Sequence, residues 1–118
     1  MKEEQILQII PKSQDYIEYM IEVIIKIPRT EKFNIGTEYK NSMYRMLNNI
    51  LYLRNTRNIM DILNNIDTEL NMQRICLRIM YKYRWIDIKK FNVAIDKIGE
   101  LGKILGGLIK YYGKNNKK

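Results

Sequence analysis

Along the stretch 98–110 the apolar residues Ile98, Leu101, Leu105, Leu108 and Ile109 recur at spacings of three and four, the period of an α-helix. Gly99, Gly102 and Gly106 recur at the same spacings on another stripe, and Gly107 makes a fourth glycine within nine positions. Inside a helix each glycine costs about 1 kcal/mol relative to alanine. The usual offset is close approach, because without a Cβ a second backbone or a bulky side chain can sit against the helix axis. The stretch therefore predicts a C-terminal helix built to pack tightly. A flexible glycine-rich tail would not keep the intervening residues in helical register.

The rest of the chain repeats that period. Its prolines, Pro11 and Pro28, and its few glycines are placed where an all-α fold suffers least, and 118 residues suffice for one domain with one core. After a poorly specified lead-in, Ser13 is a candidate N-cap for a helix over 13–27, with Asp15 in its first turn. That helix carries Tyr16, Met20, Val23, Ile24 and Ile27, and Ile17, Ile21 and Ile25 widen its apolar face enough to suggest burial against a neighbouring subunit as well. Pro28 ends it. Thr30 would cap a second helix over 31–54, with Phe33, Gly36, Lys40, Met43, Leu47, Ile50 and Leu51 on one side. Thr56 or Asn58 would cap a third over 57–83, and Asp87 a fourth over 88–112, leaving a basic, frayed tail over 113–118. Four helices and short turns predict a single up-down-up-down four-helix bundle spanning 1–118.

Nothing in the residues suggests catalysis. There is no histidine, the commonest general base and metal ligand, and the single cysteine, Cys76, lies among apolar residues like a small core side chain. Thr37, Ser42 and Thr68 have no candidate base, and Asp61, Asp67 and Glu69 spread over several helix faces as solvated surface would. Gly106-Gly107 lacks the Lys-Ser/Thr of a phosphate-binding loop. The expectation is a protein that is no enzyme and needs no cofactor or metal. With no signal peptide and no run of about 20 apolar residues, the reading is also of a soluble, cytoplasmic protein with no membrane partner.

Charge points to binding. The net charge is +8, yet the chain before Arg57 has 8 Lys and Arg against 7 Asp and Glu, and the remainder has 13 against 6. A basic half of this kind suits a polyanion, most often nucleic acid. Arg74, Arg78 and Lys82 stand at i, i+4 and i+8, a cationic ridge about 12 Å long. Arg84, Lys89, Lys90 and Lys97 extend it, and Arg57 is a further candidate. Tyr81, Tyr83 and Trp85 are interleaved with these charges, which suits phosphate contacts and base stacking. The competing reading makes the aromatics core and the cations solvated surface.

Three blocks together resemble one family, the accessory variability determinant (Avd) of diversity-generating retroelements. The first is 16–20 followed by Ile27-Pro28-Arg29-Thr30-Glu31-Lys32-Phe33-Asn34-Ile35-Gly36, similar to the family's Phe-Pro-Arg…Arg-Phe…Leu-Gly turn. The second is 70–79, where Arg74 and Arg78 match a Leu-Arg…Leu-Arg pattern on the third helix. The third is 98–110, similar to an Ile-Gly-Arg-Met-Leu-Gly-Gly-Trp-Ile-Lys ending. Ile27 replaces the family's frequent Phe, Lys32 its Arg and Leu108 its Trp. A second bundle family, encoded in intervening sequences of bacterial large ribosomal RNA genes, has a characteristic Ala-Asn-Ile-Ala-Glu-Gly segment that is absent here. The resemblance implies a homopentameric barrel that binds the retroelement's reverse transcriptase, template-repeat RNA and cDNA, and supports mutagenic cDNA synthesis without chemistry of its own. On this reading Gly99, Gly102, Gly106, Gly107, Pro28, Phe33 and Gly36 serve helix packing and assembly. The alternatives are a ribosomal intervening-sequence protein or a purely structural oligomer whose nucleic-acid affinity is nonspecific.

Overall fold

A computed structural model describes residues 2–116. Its four long helices are α1 (Lys2–Ile25), α3 (Ile35–Tyr52), α4 (Ile59–Lys82) and α5 (Ile88–Asn116), with a single-turn α2 (Arg29–Lys32) between the first two. No strand occurs among the described residues. Each long helix packs on two others, α1 and α4 both lying between α3 and α5, so the helices form a bundle. Its extents are 49 × 23 × 22 Å, set lengthwise by α5, which at about 1.5 Å per residue approaches the whole long dimension.

The first helix departs most from expectation. It begins some ten residues earlier than Ser13 and runs through Pro11, whose ring removes an internal hydrogen bond. Ile6 and Ile9 explain why the helix nevertheless continues, for both are buried in the common core. Glu3 and Glu4 occupy the first turn, where the helix dipole favours acids. Ser13 is accordingly no cap: it is buried in mid-helix, and its Oγ has no hydrogen-bond partner among the described residues.

The expected second helix is split. Pro28 does not merely end α1; it stands at the N-cap of α2, with Thr30 inside that turn, and the chain re-forms a helix only after Asn34. Thr37 Oγ1 donates to the Lys32 carbonyl at 3.0 Å and Asn34 Nδ2 to the Thr30 carbonyl at 3.1 Å, which ties the two pieces together. At the far end a 3₁₀ turn, Leu53–Asn55, follows α3. Asn58 occupies the N-cap position of α4 without a side-chain bond, and its own N–H donates to Thr56 Oγ1 at 3.1 Å. Asp87 does cap α5: its Oδ1 accepts from the Lys90 N–H at 2.8 Å. α5 continues to Asn116, through most of the stretch predicted to fray, and Lys117 and Lys118 lie outside the described residues.

The core is mainly aliphatic, with Met20, Ile24, Met43, Met46, Ile50, Leu63, Ile66, Leu70, Leu77 and Leu105 among its buried members. Cys76 is a free, buried thiol, as its neighbours suggested, and burial pushes its pKa up. Through this core runs a polar chain. The Tyr16 and Tyr39 hydroxyls share a hydrogen bond, Tyr16 OH donates to Gln73 Oε1 at 2.7 Å, and Gln73 Nε2 donates to Ser42 Oγ at 3.0 Å. Ser42 Oγ in turn donates to Glu69 Oε1 at 2.8 Å, and Arg45 Nε reaches Glu69 Oε2 at 2.8 Å. The chain thus links α1, α3 and α4 and ends at solvent, satisfying buried groups that would otherwise be costly. Burial holds both tyrosine hydroxyls well above their ordinary pKa.

Candidate nucleic-acid interface

Arg74, Arg78 and Lys82 occupy successive turns of α4, but they are not presented alike. Arg74 is half-buried: its Nη2 lies 2.8 Å from where a Cβ on Gly102 of α5 would stand, and its Nη1 donates to Asn71 Oδ1 at 2.8 Å. Arg78 and Lys82 are exposed, and neither has an ion-pair partner among the described residues. The ridge is therefore two free cations beside an arginine that packs two helices together.

The turn from α4 to α5 gathers more charge. Met80 and Tyr81 carbonyls accept from the N–H groups of Trp85 at 2.8 Å and Arg84 at 2.9 Å, the crossed pair of a Schellman ending. Such endings place a left-handed residue after the helix, usually glycine, and here Arg84 has φ 62°. A side chain in that conformation costs about 1 kcal/mol or more. Tyr83 stacks on Trp85 at 5.3 Å between ring centroids and 22° between planes, and Tyr81 stacks on Phe91 at 4.7 Å. The aromatics divide between the two sequence readings: Trp85 is half-buried against the core, whereas Tyr83 is 61% exposed. Beside them opens a depression of about 670 Å³ whose walls include Lys82, Arg84, Trp85 and Lys90. Lys90 also lies 3.8 Å from Asp87 Oδ2, and Lys89 is exposed at the start of α5.

Two proposed contacts lie elsewhere. Arg57 is exposed just before α4, so the length of that 24-residue helix, about 36 Å, separates it from Arg84. Lys97 turns toward α1, where its Nζ meets Asp15 Oδ2 at 2.5 Å and stands 5.6 Å from the Tyr19 ring centre. Near it Lys12 Nζ meets Glu100 Oε2 at 2.8 Å, a bond that holds the Glu100 carboxyl below its usual pKa. Sequence spacing could not assign Lys97 to this seam, because its partner is 82 residues away.

The glycines divide as well. Gly36 is buried; a Cβ there would come within 3.0 Å of Ile24 Cγ2 and 3.3 Å of the Glu31 carbonyl. On α5, Gly102 faces Arg74 and Gly107 faces Gln5 of α1, but among the described residues nothing lies within 4 Å of a Cβ at Gly99 or Gly106. Those two are exposed, so tight packing within the chain does not account for them. Phe33 is likewise no packing residue in the single chain, at 72% exposed, and Pro28 is exposed too. Alanine at both Gly99 and Gly106 is expected to stabilise the isolated fold by about 1 kcal/mol per site, raising Tm by several degrees in a thermal melt.

Glu69 is not the solvated surface residue that its helix position suggests, for it closes the buried polar chain. Burial raises its pKa, but the Arg45 and Ser42 hydrogen bonds outweigh burial and leave it below the ordinary glutamate value. The bond to Glu69 correspondingly raises the Arg45 pKa. A carboxyl depressed in the folded state adds stability above its unfolded pKa, and that stability is lost as pH falls through the folded pKa. Stability should therefore drop as pH falls through and below about 4.3, and Glu69→Gln should flatten that part of the profile in urea melts at several pH values.

Among the described residues no three His, Cys, Asp or Glu side chains are grouped to hold a metal ion, and no helix is long and apolar enough to cross a membrane. The sequence profile of the bAvd-like family matches residues 6–112, from the first buried turn of α1 to the last turns of α5. The chain belongs to the bAvd-like family. The match bears out the resemblance carried by the three sequence blocks. No curated protein matches the sequence. The bAvd-like span contains the whole cationic end of α4 and α5, the Schellman turn and the glycine-bearing stretch.

Proposed function

We propose that this bAvd-like protein is a noncatalytic accessory subunit that binds a retroelement reverse transcriptase and its template-repeat RNA and supports mutagenic cDNA synthesis, with the polymerase supplying all chemistry. The family match over 6–112 carries the proposal. Exposed Arg78, Lys82, Arg84 and Lys89 support its nucleic-acid part, since cations without an ion-pair partner among the described residues are available to phosphates. A homopentamer is the assembly proposed. Exposed Leu7, Ile25, Tyr44 and Leu51 on α1 and α3, together with the open glycine track on α5, leave apolar and flat surface for subunit contact.

Co-expression with a reverse transcriptase encoded beside this gene, with and without the adjacent noncoding RNA, tests the reading. At raised salt the chain is expected to co-elute with the polymerase at a mass requiring several copies per enzyme. The same complex should make cDNA from the template-repeat RNA only when this subunit is present. Elution of the chain as a bare oligomer, with cDNA synthesis unaffected by its absence, would instead favour the structural-oligomer reading.

A further inference from the structure

We propose that the α4–α5 end of the bundle is a binding site for an unpaired nucleotide of a single-stranded nucleic acid, its base laid on the Tyr83–Trp85 pair and its phosphates met by Lys82 and Arg84. This rests on the nucleic-acid part of the proposed function and adds to it a place and a preference for unpaired bases.

The turn itself does not call for arginine. Its two crossed hydrogen bonds are backbone bonds, and glycine would make them without the penalty that a side chain incurs at φ 62°. What Arg84 brings instead is a permanently charged, five-donor fork at the rim of the depression, suited to a phosphate. Tyr83 presents the second anomaly. It is 61% exposed while already stacked on Trp85, so the aromatic pair ends in a ring open to water. Bases stack on such rings whatever their sequence, whereas bases within a duplex are already stacked on one another. The depression of about 670 Å³ adjoins the pair, with Lys82 and Lys90 as further walls. Asp87, its one acidic wall residue, accepts from the Lys90 N–H at 2.8 Å and lies 3.8 Å from the Lys90 ammonium, so its charge is directed at the start of α5. Strained arginine, half-free aromatic stack, cations and concavity meet in ten residues of chain.

Trp85 is the only tryptophan, so its fluorescence reports on this site alone. The intact protein would be titrated with a short oligoadenylate RNA, its deoxy counterpart, an abasic oligomer of equal length and charge, and the corresponding RNA duplex. The adenylates are expected to alter Trp85 emission and to bind more tightly than the abasic strand or the duplex. Equal affinity for the two adenylates assigns the site to single strands generally, and tighter RNA binding assigns it to RNA. Tyr83→Ala should weaken adenylate binding about tenfold with little effect on the abasic strand, and Tyr83→Phe should restore it. Arg84→Gly should raise Tm by relieving the left-handed arginine, yet bind more weakly and lower the salt slope by about 0.7. Binding with unchanged Trp85 emission and full affinity in Tyr83→Ala would overturn this site and leave the basic face standing. Failure of every strand to bind would overturn both.

Discussion

Replacing Arg78, Lys82 and Lys89 together by alanine is expected to weaken binding of single-stranded RNA roughly a hundredfold, taking about 1 kcal/mol for each exposed cation–phosphate hydrogen bond removed. The slope of log affinity against log salt should fall by about 2, since each phosphate neutralised on a single strand contributes about 0.7. The fold should be unaffected, because all three side chains are exposed and none has an ion-pair partner among the described residues. Filter binding across a salt series, with a thermal melt of each variant, measures both quantities. Lys97→Ala is the control. Its ammonium is held by Asp15, so its loss should leave the salt slope alone. An unchanged slope in the triple variant would remove these residues from the interface.

Gln73→Ala is expected to destabilise the fold by about 3 kcal/mol, by leaving a core cavity and taking partners from two buried hydroxyls. Gln73 is fully buried, accepting from Tyr16 and donating to Ser42, so it is the only link in that chain between the tyrosine pair and the Glu69–Arg45 end. Urea unfolding at neutral pH would show the loss as a lower midpoint. A double-mutant cycle with Ser42→Ala should give a coupling above about 0.5 kcal/mol, because the two residues share one network.

Periodicity alone is enough for most of the core. Met43, Ile50, Ile98, Leu101, Leu105 and Leu108, all aligned by spacing, are buried, whereas Phe33 and Leu51, placed on the same side as Met43 and Ile50, are exposed. Gln73 also has a signal, for it falls on the same face as Leu70 and Leu77, where a polar residue needs partners. Whatever depends on distant chain is not legible in this way. Pro11 resembles a boundary because the cost of an internal proline is local, while its compensation, the burial of Ile6 and Ile9, is tertiary. The glycine spacing marks a stripe on α5 but not that two of its members face open space. The cations are legible as a group, yet spacing cannot distinguish Arg78, which is exposed, from Arg74, which lies on Gly102, or Lys97, which is paired with Asp15. Arg84 shows in the sequence only as a charge; its left-handed backbone has no signature there, since the glycine that normally announces such a turn is missing.

The two ion pairs between α1 and α5 also act as an alignment code. Lys12 faces Glu100 and Asp15 faces Lys97, so each helix presents a cation followed three residues later by an acid, and the antiparallel pairing sets opposite signs together. Sliding α5 by three residues one way would set Lys12 against Lys103 and Asp15 against Glu100; the other way would set Lys12 against Lys97. Only the native setting matches both signs. Pairs this exposed add little to stability individually. Their contribution is to make the registers displaced by three residues repel, which favours the native closure of a seam of interchangeable isoleucines and leucines.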